Sequence, residues 1–291
     1  MLLDPSGPLD LVVIGHVTQD LTDGRPRPGG TGAYAALVAS RSGLRTGLIT
    51  CSGPELNLAE LLPDVRVVLA DSTRTTVMGH LQDAGRRVQF VQRRAGDIDS
   101  NAVPVAWRQS RLLLLAPLLG EVDPGIAEEF PRAVVFVAAQ GWLRRVLPDG
   151  RVEDGNVGGL QVDVLRRRAI VLSLSEVDLA GAAVPQAWQE AFPIIIITRG
   201  GDGLRLRYGG QWWQLDAFPT GERDATGAGD ALAAAFLARY SETADVAEAA
   251  RFGAATASFV VEAPGLDGVP SRAAVERRLV EYPDIRLRPD G

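Results

Sequence analysis

The chain has 291 residues, 46% of them apolar and 23% charged, with a net charge of −6. That length buries a sizeable core. The mildly acidic balance gives no electrostatic reason to bind nucleic acid or an anionic membrane. All 30 basic residues are arginine, which excludes a Walker-type Gly-Lys-Ser/Thr loop and a Schiff-base lysine. Phosphate can then be met only by arginine, by backbone N–H groups or through a metal. Cys51 stands alone, so an internal disulfide and a cysteine-cluster metal site are excluded too.

The N-terminus, MLLDPSGPLDLVVIG, has no basic n-region and carries Asp4, Pro5 and Asp10. It does not read as a signal peptide, and the longest apolar runs are too short to span a bilayer. A cytoplasmic protein is expected. Unbroken apolar runs at 11–15, 66–70, 111–116, 133–139, 169–174 and 194–198 read as strands covered on both faces, the habit of parallel sheets. Stretches with helical spacing, such as 30–42 and 244–261, lie between them. The alternation predicts a doubly wound or three-layer α/β fold.

Gly30-Thr-Gly32-Ala-Tyr-Ala35 fits a dinucleotide fingerprint, but about fourteen residues, including Pro26 and Pro28, separate it from the strand at 11–15. No acid stands near position 50, where Thr50, Cys51 and Ser52 follow one another. An NAD enzyme is therefore set aside. His16 and His80 are far apart and make no metal pattern. Cys51 reads as a buried thiol at a strand end, with no base beside it.

Residues 71–98 are polar and arginine-rich and read as two exposed strands around Asp83-Ala84-Gly85. Arg86, Arg87, Arg93 and Arg94 either face solvent there or include a residue that closes over phosphate or substrate. A second hairpin, 204–216, turns at Gly209-Gly210, with Trp212 and Trp213 packing one face. Trp142 follows a strand, where it would pack or stack on a ring. With no repeat or linker, the reading is one domain over 1–291 carrying a small β lid at about 71–98.

The stretch ERDATGAGDALAAAFLARY, 222–240, holds the strongest chemical signal. Leu232, Ala235, Phe236 and Arg239 fall at helical spacing, so a helix starts near 226–228. Free N–H groups at a helix start, beside small residues, form an anion site. Asp230 would stay ionised there and could take a proton from a hydroxyl beside a bound phosphate. On physical grounds alone Asp230 is equally well an ordinary first-turn acid.

The string DATGAGD resembles the D-x-T-G-A-G-D signature of the ribokinase-like (PfkB) carbohydrate kinases. The resemblance implies that Asp230 is the catalytic base and that the amides of Gly227, Ala228 and Gly229 hold the transferred phosphoryl group. It extends along the chain. LVVIGHVTQDL is similar to the family's first strand, ending in the substrate-binding acid, here Asp20. PGGTGAYAALVASRSGL is similar to its N-terminal signature, in which Gly29 and Gly30 touch the substrate and hinge the lid. TRGGDG resembles its nucleotide loop through Thr198, Gly200 and Gly203, with Thr226 also on the nucleotide side, and ARFGAATASFVVEAPG is similar to its C-terminal helix beside the adenine.

The chain departs from the pattern at Thr31, at Tyr34, where many members have Asn, and at SEVD (175–178). There only Asp178, with Glu176 near it, is left to organise Mg2+. The segments AVVFVAAQGWLRR and LSLSEVD look most like the inositol-kinase-like branch. The resemblance implies a three-layer fold with a mostly parallel sheet and a β lid. It further implies ATP and Mg2+ as cofactors and K+ near 220–226. The acceptor would be a small polyol, whether sugar, nucleoside or cyclitol, and a homodimer would form through the lid. The competing reading is a non-catalytic sugar or nucleotide sensor, which would have no need of a base at Asp230.

Overall fold

The computed structural model describes residues 8–22, 25–83 and 86–290. Its strands are β1 (Leu11–Ile14), β2 (Thr18–Thr22), β3 (Arg25–Gly29), β4 (Thr46–Thr50), β5 (Val65–Leu69), β6 (Thr76–Asp83), β7 (Arg86–Arg93) and β8 (Leu112–Leu115). They continue with β9 (Val134–Ala138), β10 (Arg145–Val146), β11 (Val152–Glu153), β12 (Ala169–Ser175), β13 (Ile194–Thr198), β14 (Leu204–Tyr208), β15 (Gln211–Leu215) and β16 (Arg288–Pro289). The long helices are α1 (Thr31–Arg41), α2 (Ala228–Thr243), α3 (Val246–Val260) and α4 (Arg272–Glu281).

Among the described residues a ten-stranded sheet runs in the order β16-β15-β14-β13-β12-β9-β8-β1-β4-β5. From β13 to β5 every neighbour is parallel. The hairpin β14–β15 and then β16 extend the sheet antiparallel. Alternate side chains of each strand feed two cores. Leu11 and Val13 face the layer built by α1 to α4, while Val12 and Ile14 face a layer rich in Trp107, Phe130 and Phe192. All four strand residues are fully buried, which is why the sequence shows unbroken apolar runs instead of alternation. β4 was not among those runs; its TGLIT is equally buried, with Thr46 and Thr50 inside.

The expected second hairpin is present. Gly209 and Gly210 take φ of 59° and 79°, the left-handed pair that a two-residue hairpin turn needs.

The lid differs from expectation. It is a four-stranded sheet, β3-β2-β6-β7, not an isolated hairpin. β2 pairs parallel with β6, and β3 lies antiparallel outside β2. Asp20 therefore does not end the first core strand, which stops at Ile14; it sits inside the lid on β2. A lone hairpin is marginal in water, and β2 and β3 supply the missing width. Ala84 and Gly85 of the expected turn lie outside the described residues. Arg93 bonds Glu55 and Arg94 bonds Asp97, so both are tied to local partners.

β3 reads Arg-Pro-Arg-Pro-Gly, with its first four residues exposed, and pairs only with β2. On the opposite flank, Val91 donates its N–H to Gly150 at 2.8 Å, and Phe90 bridges Arg151. The buried His16 ring holds both legs of the lid. Its Nε2 lies 2.9 Å from the Gly96 carbonyl and its Nδ1 3.0 Å from the Thr76 hydroxyl. Since a carbonyl only accepts, Nε2–H donates to Gly96 and Nδ1 accepts from Thr76.

The start of α1 is seated tightly on the sheet. Thr31 donates its hydroxyl to the Ala116 carbonyl at 2.5 Å. A Cβ on Gly32 would stand 2.4 Å from the Gly15 carbonyl oxygen. Gly32→Ala is therefore expected to lower the unfolding free energy by about 1–3 kcal/mol through overpacking. Gly158→Ala, where a Cβ meets nothing within 4 Å, should stay within about 0.5 kcal/mol of the parent. Urea unfolding of both variants beside the parent protein checks this.

Candidate active site

A cavity of about 730 Å3 lies between the lid and the C-terminal ends of the parallel strands, the usual place for a site in an open α/β sheet. It gathers Asp20, Gly30, Thr198, Gly200, Gly203, Thr226, Gly227, Ala228, Gly229, Asp178 and Asp230 in its wall. Gly29 stands directly behind Asp20. A Cβ there would lie 2.3 Å from the Asp20 Oδ2, so a side chain at Gly29 would displace the carboxylate.

Glu176 is the exception. It is exposed and lines a separate cavity of about 480 Å3 with Arg199, Arg205 and Trp212. The single turn at 177–179 folds Asp178 inward and leaves Glu176 on the far side. Of the two acids expected near Mg2+, Asp178 thus faces the large cavity and Glu176 does not.

The two ends of the cavity differ in chemistry. Beneath the lid it is polar, with Asp20, His80, Gln89, Gln140, Arg144 and Asp154. Asp20 accepts the Thr18 hydroxyl at 2.6 Å, and His80 Nε2 lies 3.7 Å from its other oxygen. Arg144 is 6% exposed and bonds Asp154 at 3.2 Å and the lid's Gln89 at 3.0 Å. At the other end small and apolar residues, Ala254, Ala257 and Val261 of the α3 region with Phe218 and Pro219, line the cavity beside Thr220, Glu222 and Ser258. A flat ring fits such a slot.

Between these ends, Gly227 caps α2 at φ 79° with no side-chain cap. Among the described residues, the Gly227 and Gly229 N–H groups meet no backbone acceptor, as expected where a helix starts. The approach is fixed by Asp224, whose carboxylate accepts both the N–H of Thr226, at 3.0 Å, and its hydroxyl. The backbone N–H groups of Arg223 and Asp224 are held by the Val261 carbonyl.

Asp230 was expected to stay ionised. Instead, burial pushes its carboxyl up to about 7; Arg144 pulls it down and Asp178 adds to the rise. Asp178 is raised as well, chiefly by burial, against lowering by its bonds from the Ser175 N–H and hydroxyl at 2.6 and 2.8 Å. Those bonds use Oδ2. The Asp178 Oδ1 is buried and has no hydrogen-bond partner among the described residues.

Sequence reasoning missed the cavity side chains beneath the lid, His80, Gln89, Gln140, Arg144 and Asp154. They come from distant segments, and nothing local marks them. Trp142 is in the core, donating to the Val122 carbonyl at 3.0 Å. Cys51 is buried, and burial raises its thiol to about 11, so it is no nucleophile.

An acid at the start of a helix, with free amides before it, a polar lidded pocket on one side and an apolar slot on the other, is the layout of a phosphoryl-transfer enzyme of α/β type. Comparison with known proteins agrees. Residues 168–272 match the pfkB family of carbohydrate kinases. The chain is 29% identical over 285 residues to a cytidine kinase of Thermococcus kodakarensis, covering 87% of this chain and 96% of that protein. It is 31% identical over 153 residues to an inositol 3-kinase of Zea mays, covering 50% of this chain and 40% of that one. A solved pyrophosphate-dependent kinase of the ribokinase family superposes with a TM-score of 0.74 at 22% identity, over 91% of this chain and 99% of that one. The chain is a kinase, similar to the ribokinase-like (PfkB) carbohydrate kinases. No described helix is long and apolar enough to cross a membrane.

The raised Asp230 carboxyl has a consequence for stability. It titrates near 3.8 when unfolded and near 7 when folded. The folded state therefore binds the proton more tightly, and the stability this contributes is full below about pH 4 and is lost as pH rises through about 7. Asp230→Asn cannot titrate. Its melting temperature should gain on that of the wild type as pH is raised from 5 to 8, and melting curves across that range check it.

Proposed function

We propose that this kinase transfers the γ-phosphoryl group of ATP to a hydroxyl of a small, neutral, polyhydroxylated ring. The carrying observation is the place of Asp230, with the Gly227–Gly229 turn, where the polar pocket under the lid meets the apolar slot beside α3. Asp20 and the Gly29-Gly30 turn hold the acceptor. Asp230 takes the hydroxyl proton as the oxygen attacks, and a carboxyl titrating near 7 suits that work at neutral pH. The Gly227 and Gly229 amides meet the charge on the moving phosphoryl group without reorganisation, whereas the Ala228 N–H, also expected to take part, donates to the Ala225 carbonyl at 3.3 Å and must leave it to join them. Lid closure excludes water that would otherwise accept the phosphoryl group.

The slot supports a nucleotide donor over bare pyrophosphate, which has no ring to place against Ala254 and Ala257. Thr198, Gly200 and Gly203 would hold the donor's phosphate and ribose side, with Thr226 at the turn. For Mg2+, no group of three or more acids, histidines or cysteines is placed to hold a metal alone among the described residues. The unpartnered Asp178 Oδ1 nevertheless fits a position beside a phosphate-bound ion, directly or through water. Mg2+ would neutralise charge on the donor's phosphates. No step is assigned to K+. A homodimer through the lid would have to use the sheet's face, because both of its edges are closed or poor in donors. A cytoplasmic site of action is consistent with this chemistry.

The polar lid pocket favours a sugar or cyclitol. The likeness to a cytidine kinase keeps a nucleoside as the second reading. A panel of myo-inositol, hexoses, pentoses and nucleosides, each with ATP or pyrophosphate and Mg2+, tests acceptor and donor together. Asp230→Asn is expected to lower kcat by about 10²- to 10⁴-fold while retaining ATP affinity; full activity in this variant would refute the mechanism. Asp178→Asn should raise the Mg2+ concentration giving half-maximal rate, read from a Mg2+ titration at fixed ATP.

A further inference from the structure

We propose that Tyr34 is a positioning residue that sets the spacing between the acceptor-holding turn and the phosphoryl-holding turn. The inference rests on the function proposed above. Tyr34 lies in the first turn of α1, is 1% exposed and reaches the cavity wall. Its N–H donates to the Gly30 carbonyl at 3.2 Å, so it is tied directly to the turn that would touch the acceptor.

Its backbone has little freedom to shift. Beneath it Thr31 bonds the Ala116 carbonyl and Gly32 lies against Gly15. Gly30 is equally confined, since a Cβ on it would stand 2.5 Å from the His16 carbonyl oxygen.

The ring of Tyr34 points at Gly227. A Cβ on Gly227 would stand 2.3 Å from the ring Cγ and 2.4 Å from each Cδ. Near-equal distances to these three atoms mean that the face of the ring meets Gly227. A flat, stiff ring therefore backs the one left-handed residue at the start of α2, whose cap has no side-chain hydrogen bond. Gly227 must be glycine twice over, for its φ of 79° and for the ring behind it. If the ring were lost, the turn could relax toward the vacated space. Its amides would then miss the transferring oxygens, and small misplacements of this kind are costly in rate.

The test needs no knowledge of the acceptor. The probe is MgADP with aluminium fluoride, a mimic of the moving phosphoryl group, compared with MgADP alone by calorimetry. Wild type should bind the mimic complex more tightly than MgADP; if it does not, the proposed function fails, whatever Tyr34 does. Tyr34→Ala should lose roughly 10- to 100-fold of that preference while keeping its MgADP affinity. Tyr34→Leu gives the same reading if the alanine variant does not fold. Tyr34→Phe, which keeps the ring face, should recover the preference. Gly227→Ala should abolish it in the wild type and cost less when added to Tyr34→Ala, since the two substitutions share one contact. An unchanged preference in Tyr34→Ala, an equal loss in Tyr34→Phe, or simple additivity with Gly227→Ala would each overturn the assignment.

Discussion

The site depends on bringing an acid to the start of a helix where water is scarce. A helix start favours negative charge, whereas burial opposes it. At Asp230 burial prevails and the carboxyl rises to about 7. Arg144 lowers it, and Arg144 is itself shared with Asp154 and Gln89. The resulting carboxyl is poised between its two protonation states near neutral pH, as a base that must both take and release a proton requires. A chain without lysine has no ammonium to place beside a phosphate. In the proposed mechanism backbone amides take that place, and the small residues at 227–229 leave room for a close approach.

The central sheet and the glycine turn that brings Asp230 to the cavity were legible in the sequence, because their signals are local. Continuous apolar runs report strands buried on both faces, and DATGAGD carries the turn and the acid within seven consecutive residues. The lid was half legible. β6 and β7 show a hairpin's polarity, but β2 and β3 join them through a parallel pairing that no local pattern encodes. That pairing moved Asp20 from the end of a core strand into the lid. Glu176 and Asp178 could not be told apart from spacing alone. Which of them faces the cavity is decided by one short turn and the Ser175 bonds. Tyr34 showed only as a departure at one helical position; its contact with Gly227 joins residues 193 apart in the sequence.

Arg144 and His16 join the lid to the core in different ways. His16 is buried and grips both legs of the lid through neighbouring residues, Thr76 and Gly96, so it fixes where the lid is rooted. Arg144 reaches Gln89 on the lid itself, so it bears on where the strands come to rest over the pocket. The same guanidinium acts on the Asp230 carboxyl. One side chain thus both touches the lid and lowers the proton affinity of the Asp230 carboxyl.

The Arg-Pro-Arg-Pro run of β3 carries a different consequence. Alternate residues of a strand turn their backbone groups to opposite sides. Because β3 is hydrogen-bonded to β2 on one side, Pro26 and Pro28 turn their ring nitrogens outward. The outer border of the lid therefore presents carbonyls and no N–H donors. A passing strand from a stray or half-folded chain would find nothing there to satisfy its own carbonyls, so the border resists being used as a template for growth. A solvent-facing sheet can in this way remain four strands wide at the concentrations of a crowded cell.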